Sequence, residues 1–196
     1  MRREELSELH YIAHMDNVQL ILRLGILSNR SASKVGHTSV AMQEVQDRRA
    51  EVVVPGGRKL HEYANLYICA RNPMLYQRQG QHLDLCVLQV NKDVLDLLGV
   101  VVTDANASSD YVRFAAAPAG LSIVDRDLTF ADDWRDSDLI QYYRKKSAKC
   151  AEILVPDKVD PRFIVGAYVS CQEAMDRLNG LGTSLGVTIN GHMFFR

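Results

Sequence analysis

Along most of this chain the apolar residues either alternate with polar ones or gather in short blocks, and helical periodicity is confined to a few short stretches. "LHYIAHM" (9–15) reads as a first strand. "DNVQLILRLG" (16–25) follows as a helix, with Asp16 or Asn17 as N-cap, Val18, Ile21 and Leu22 on one face, and Gly25 as its stop. Residues 28–65 are irregular, with loop chemistry in "SASK", "GHTS" and "PGGRK" around a polar helical stretch near 40–50. "NLYICA" (65–70) predicts a strand, and "NPMLYQRQG" (72–80) a short helix with Pro73 in its first turn. "LDLCVLQV" (83–90) is a third strand, "KDVLDLLG" (92–99) a short helix closed by Gly99, and "VVVTD" (100–104) a fourth strand.

Further on, "LSIVD" after residue 120 reads as another strand. A helix from about Asp138 to Ala148, strands "EILVP" and "FIVGAYVS", a helix near 171–180 and terminal strands near 186–195 complete the chain. Strands outnumber helices, the helices are short, and no regular strand–helix–strand alternation appears. The pattern predicts a single α+β domain over 1–196 with a mixed or antiparallel β core, not a doubly wound sheet.

Composition narrows the class. With 196 residues, 47% hydrophobic and 24% charged, the chain suits one globular domain with a real core. No apolar run is long enough to span a bilayer, and "MRREELSEL" lacks the apolar stretch of a secretion signal, so a cytoplasmic protein with reduced cysteines is expected. A net charge of −1 excludes a global basic field, so any nucleic acid must meet a local patch. Charge is uneven: "DDWRDSD" (132–138) is acidic and "YYRKKSAK" (142–149) basic, as a helix from Asp138 would want to complement its macrodipole.

Several motifs carry nothing. "SASK" lacks the companions of an S-x-x-K nucleophile, and "GLGTSLG" has the wrong spacing for a dinucleotide fingerprint. His10 and His14 share a strand face without a third ligand, so no metal is expected. What stands out is Glu152 in "KKSAKCAEILVP", a carboxylate placed where the chain is about to be buried; it needs a partner, a task, or an edge position facing water. His14, Arg49, Tyr67 and Met74 are scattered polar or aromatic positions with ordinary structural readings when taken singly.

In order, however, "YIAHMDNVQLILRLGIL", "RRAEVVVP", "HEYANLYICARNPMLY", "VVTD" and "KCAEILVP" resemble the DarT family of DNA ADP-ribosyltransferase toxins over nearly the whole length. The resemblance implies an ADP-ribosyltransferase-like fold with a split mixed or antiparallel core, NAD as co-substrate, single-stranded DNA as acceptor and a macrodomain antitoxin of the DarG type as partner. It makes Glu152 the catalytic glutamate and places Arg49 at the NAD phosphates, with Arg48 as its neighbour in doubtful register. It assigns His14, Asp16 and Asn17 to NAD, and Tyr67 and Met74 to the walls of the nicotinamide pocket. Arg71, Arg78, Arg144, Lys145, Lys146 and Lys149 would form a local track for DNA phosphates. "NLYICA" and "VVVP" depart from the P-F-Y-F and H-P-V-P of many relatives, which leaves thymine and guanine both open, with guanine the first choice. Rival readings are an RNA or protein acceptor, NAD-coupled removal of an RNA 2′-phosphate, and a catalytically inactive nucleic-acid-binding module.

Overall fold

The apolar blocks become strands because the chain provides cover for both faces of the sheet they build. The computed structural model describes Met1–Arg196. Its strands are β1 (Leu9–His14), β2 (Ile26–Leu27), β3 (Tyr63–Tyr67), β4 (Leu85–Val90), β5 (Val101–Thr103), β6 (Phe114–Ala116), β7 (Glu152–Pro156), β8 (Lys158–Val159), β9 (Ile164–Val169) and β10 (Val187–Ile189). The α-helices are α1 (Val18–Leu24), α2 (Asn29–Ala32), α3 (Gln43–Glu51), α4 (Pro73–Gln77), α5 (Arg126–Phe130), α6 (Leu139–Ala148) and α7 (Gln172–Gly180). Eight strands form one mixed sheet in the order β10-β9-β4-β1-β3-β7-β5-β6, with only β10 and β9 parallel; β2 and β8 make a separate ribbon. The α+β reading holds. No helix is long and apolar enough to cross a membrane.

Strand alternation sorts the two faces. Leu9, Ala13, Leu66, Cys86, Leu88, Ile153, Val155 and Ala167 point to the back, where Val18 and Ile21 of α1 and Ala174 and Leu178 of α7 complete the main core. Ile12, Leu85 and Val87 point to the front, under Ala70, Leu75 and Phe194. Also at the front, Val54, Leu60, Tyr63, Ala107 and Leu154 form a small cluster beneath the loop that follows α3.

The sheet is almost divided in two. β1 and β4 pair along their full lengths, and so do β3 and β7. Between β1 and β3 the register holds at one pair, His10 with Tyr67. From that point the two antiparallel strands part, so the His14 end of β1 and the Tyr63 end of β3 splay into a wedge.

Several expectations change. "KDVLDLLG" forms a 3₁₀ turn over Lys92–Asp96, and "LSIVD" a 3₁₀ turn over Ala119–Ile123, not a helix and a strand. Asn91 caps the first, its side chain accepting the Asp93 N–H at 2.9 Å, and the backbone becomes extended at Leu97 and at Val124. The terminal strands reduce to β10, followed by a turn that buries Phe194. The helix before Glu152 starts where expected, because Asp138 accepts from the Gln141 N–H at 2.8 Å.

Gly25 shows how tightly the ribbon sits. It ends α1 at φ 93° with its N–H on Ile21 O at 2.8 Å, and a Cβ there would lie 2.2 Å from Val159 O. Gly25→Ala therefore combines a left-handed strain with a backbone clash, and should lower unfolding free energy by about 2–4 kcal/mol in urea titrations.

Candidate active site

The sequence "QEVQDRRAE" makes α3 polar all round, and it buries a single residue, Arg49. Its neighbour Arg48 is exposed and does not line the cleft described below. Arg49 Nη1 donates to both oxygens of Glu152, at 3.0 and 3.1 Å, and the two side chains are 7% and 0% exposed. Glu152 Oε1 also accepts the Ala107 N–H at 3.3 Å, while its own backbone N–H reaches Thr103 Oγ1 at 3.1 Å. An edge position facing water is thus ruled out: β7 lies between β3 and β5, and the carboxylate is sealed in. Burial pushes the Glu152 carboxyl up, against the downward pull of the Arg49 guanidinium and the Ala107 N–H. Such a pair gains little over an apolar one, yet losing either partner strands the other charge, at about 3–5 kcal/mol.

Arg49 joins this pair to the wedge between β1 and β3, whose cleft it lines together with His14, Asn17, Gln46, His61 and Asn65. Its Nε and Nη2 have no protein partner and stay free to donate. His14 Nδ1 stands 3.3 Å from the Asp16 N–H. The Asp16 carboxylate is itself exposed and stands 3.4 Å from that ring. Asn17 forms a two-point amide pair with the Thr38 backbone, at 2.7 and 2.9 Å, and so pins the 37–41 loop over the cleft. Tyr67 stands across from Glu152 in the β3–β7 register. It packs with Met74 against the front cluster of Ile12, Leu85 and Phe194, and neither residue lines the cleft.

The expected basic track breaks up. Lys149 is fully buried, with Nζ on Ala131 O at 2.6 Å and near Cys69 Sγ at 3.6 Å, so it cannot meet a DNA phosphate. It closes α6, where apolar Ala148, Cys150 and Ala151 draw the chain inward, and burial pulls its ammonium pKa down. Arg71 donates to Asp132 O and His192 O and lies over the Phe195 ring at 4.0 Å; Arg78 donates to Val40 O and Ala41 O at 3.2 and 3.3 Å. Lys145 pairs with Asp136 at 2.7 Å. Arg144 and Lys146 alone among the six make no hydrogen bond or ion pair; Lys146 lies over Tyr142 at 5.5 Å.

Sequence reasoning did not single out Thr103, Ala107 or His61. Thr103 and His61 lay within the quoted "VVTD" and "HEYANLYICARNPMLY", but neither carries a signal of its own. Ala107 acts through its backbone N–H, which no side chain announces.

A family model described as "ssDNA thymidine ADP-ribosyltransferase, DarT" matches residues 10–195. A DNA ADP-ribosyl transferase–DNA ADP-ribosyl glycohydrolase fusion protein of Thermosipho africanus is 34% identical over 183 residues, covering 87% of this chain and 44% of that protein. A DNA ADP-ribosyl transferase of a Thermus species is 31% identical over 143 residues, covering 67% of this chain and 68% of it. The chain thus spans less than half of the fusion protein. Among solved structures, Thermosipho africanus DarTG in complex with ADP-ribose superposes with a TM-score of 0.82 at 30% identity, over 96% of this chain and 51% of that one. Thermus sp. 2.9 DarT in complex with ADP-ribosylated ssDNA gives a TM-score of 0.84 at 22% identity over 99% of both chains, a likeness of fold. With the family match running from β1 to the last turn, the chain belongs to the DarT family.

Proposed function

We propose that this chain transfers ADP-ribose from NAD to a base of single-stranded DNA in the cytoplasm, and that a macrodomain antitoxin of the DarG type reverses the mark. The observation that carries the reading is the buried Arg49–Glu152 pair, whose Arg49 lines the cleft. NAD cleavage breaks the bond between the ribose C1′ and the nicotinamide nitrogen, and the leaving nicotinamide keeps the electron pair. Positive charge grows on the ribose, and a fixed carboxylate in a dry site opposes it without reorganising. As the base nitrogen bonds to C1′ it gives up its proton to solvent in the cleft, while Glu152, sealed and held by Arg49 and Ala107, acts through its charge.

Arg49 holds Glu152 through one nitrogen and keeps its other donors for the dinucleotide phosphates, with His14 and Asn17 along the same cleft. A single-stranded base offers its face and edge without the cost of leaving a duplex. The description of the matched family names thymidine, and on that ground we take thymine over guanine. The fusion of the Thermosipho relative to a DNA ADP-ribosyl glycohydrolase supports the antitoxin partner.

Labelled NAD offered with single-stranded homopolymers, duplex, RNA and protein should label oligothymidine. Labelling of oligoguanosine alone would reverse the choice of base, and labelling of RNA or protein alone would replace the acceptor.

Glu152→Gln should abolish transfer while leaving NAD affinity within a few fold, because the carboxylate acts on the transition state. Glu152→Ala should do the same; both variants lose stability because Arg49 is left without a counter-charge, and the alanine, which also removes its hydrogen-bond partner, loses the more, about 3–5 kcal/mol. Turnover assays, calorimetric NAD titration and urea melts distinguish the two effects.

Replacing Arg144 and Lys146 with alanine should weaken single-stranded DNA binding and flatten its log–log salt slope by about 0.7 for each phosphate no longer neutralised. Lys149→Met should leave that slope unchanged, because its ammonium is engaged by Ala131 O inside the protein.

A further inference from the structure

The front face carries a second histidine behind the cleft. By strand alternation His10 shares that face with Ile12 and His14, and it is buried, at 7% exposure. It pairs with Tyr67, and Tyr67 pairs with Glu152, so the three stand in one row across β1, β3 and β7. The wedge opens immediately beyond this row.

The His10 ring is held on both sides. Its Nε2 lies 3.3 Å from Glu8 Oε1, and its Nδ1 lies 3.2 Å from Ile68 O. Glu8 is tied into the first half of the sheet, where it also accepts the Tyr168 O–H at 2.8 Å and a Gln89 Nε2 hydrogen at 2.9 Å. Gln89 finds room because Gly166 stands opposite it in the β4–β9 register, where any Cβ would collide with Gln89 Oε1. Burial works against the charge of Glu8, yet His10, Tyr168 and Gln89 together keep its carboxyl below the usual range.

Ile68 belongs to the other half. It begins the bend that ends β3, with its N–H still on Ala151 O at 3.1 Å, one residue before Glu152. The contact to its carbonyl is the one side-chain hydrogen bond that β1 sends across the division. Backbone pairing there amounts to a single register pair, a hinge about which two half sheets would rock. A ring bonded to both halves removes that freedom.

Transfer needs groups from both halves. His14 and Asn17 come from β1 and the turn after it, and Glu152 comes from β7. A substrate that spans them reacts only if their spacing is held. We propose that His10 is a positioning residue for the transfer: bonded to Glu8 on one half sheet and to Ile68 on the other, it fixes the spacing of His14 and Asn17 from Glu152. This rests on the reading of the cleft as the site of ADP-ribosyl transfer.

The test compares wild type with His10→Phe, His10→Leu and His10→Gln in kcat and KM for NAD, calorimetric NAD titration and thermal melts. Phe and Leu fill the site without a donor, whereas Gln keeps an N–H for Ile68 O. Misplacement by about 1 Å costs roughly a hundredfold in rate, so kcat should fall roughly ten- to a hundredfold in the Phe and Leu variants, with NAD affinity changed by less than about threefold. His10→Gln should recover most of the rate. Amide hydrogen exchange at Ile68 should quicken in the Phe and Leu variants, while Leu66 and Ile153, paired within the β3–β7 ladder, keep their protection.

Unchanged kcat in a folded His10→Phe or His10→Leu would overturn the assignment. So would a loss of NAD affinity as large as the loss of kcat, which marks a binding contact, or a His10→Gln no faster than His10→Leu. Failure of both apolar variants to fold marks a structural role and overturns it as well. A wild type that transfers no ADP-ribose would overturn the functional reading and the part of His10 in it; exchange at Ile68 separates the two failures, because it reads the joint between the halves without substrate.

Discussion

The buried pair of Arg49 and Glu152 is the constraint around which the front of the molecule is arranged. A helix with almost no apolar face has little reason of its own to dock on a sheet. Here α3 is drawn in by a guanidinium that must find a buried counter-charge, and β7 supplies it at its first residue. The Ala107 N–H reaches the carboxylate and Thr103 Oγ1 accepts the Glu152 backbone N–H, so α3, β7 and the stretch from β5 to Ala107 meet at one residue. Disturbing any one of them affects the others through the same low-dielectric site.

The divided sheet gives that pair its access. Were β1 and β3 paired along their length, the front face would be closed, and Arg49 would meet only protein. The single His10–Tyr67 register keeps the halves together at the end where Glu152 lies and lets them part at the His14 end. The access of Arg49 and the cleft beside it are therefore two consequences of one strand divergence.

Much of this was legible in the sequence where the signal is local. The blocks "NLYICA", "LDLCVLQV" and "EILVP" became β3, β4 and β7, and Asp138 caps its helix, because alternation and capping depend on neighbours a few residues apart. The order of the motifs pointed to the family. The pairing of Arg49 with Glu152 was not legible, since it joins residues 103 apart in the chain. The basic run misled at Lys149 for a related reason: charge in a sequence says nothing about which lysine the end of a helix will carry inward. Arg71 and Arg78 were read as facing a ligand, and the structure turns both toward loop carbonyls, where a guanidinium serves as a staple.

The amide pair between Asn17 and Thr38 has an energetic side as well. It is a closed conformer held by two hydrogen bonds, with Arg78 gripping the same loop a little further on at Val40 and Ala41. A ligand that uses the Asn17 amide competes with the backbone for it, and binds only the fraction of molecules in which the loop has let go. Its apparent affinity is the intrinsic one scaled by that open population. A ligand that carries a carboxamide of its own can replace the broken pair in kind, whereas water or a simple phosphate can do so only in part. For such a ligand the threshold is the strength of one amide–amide contact.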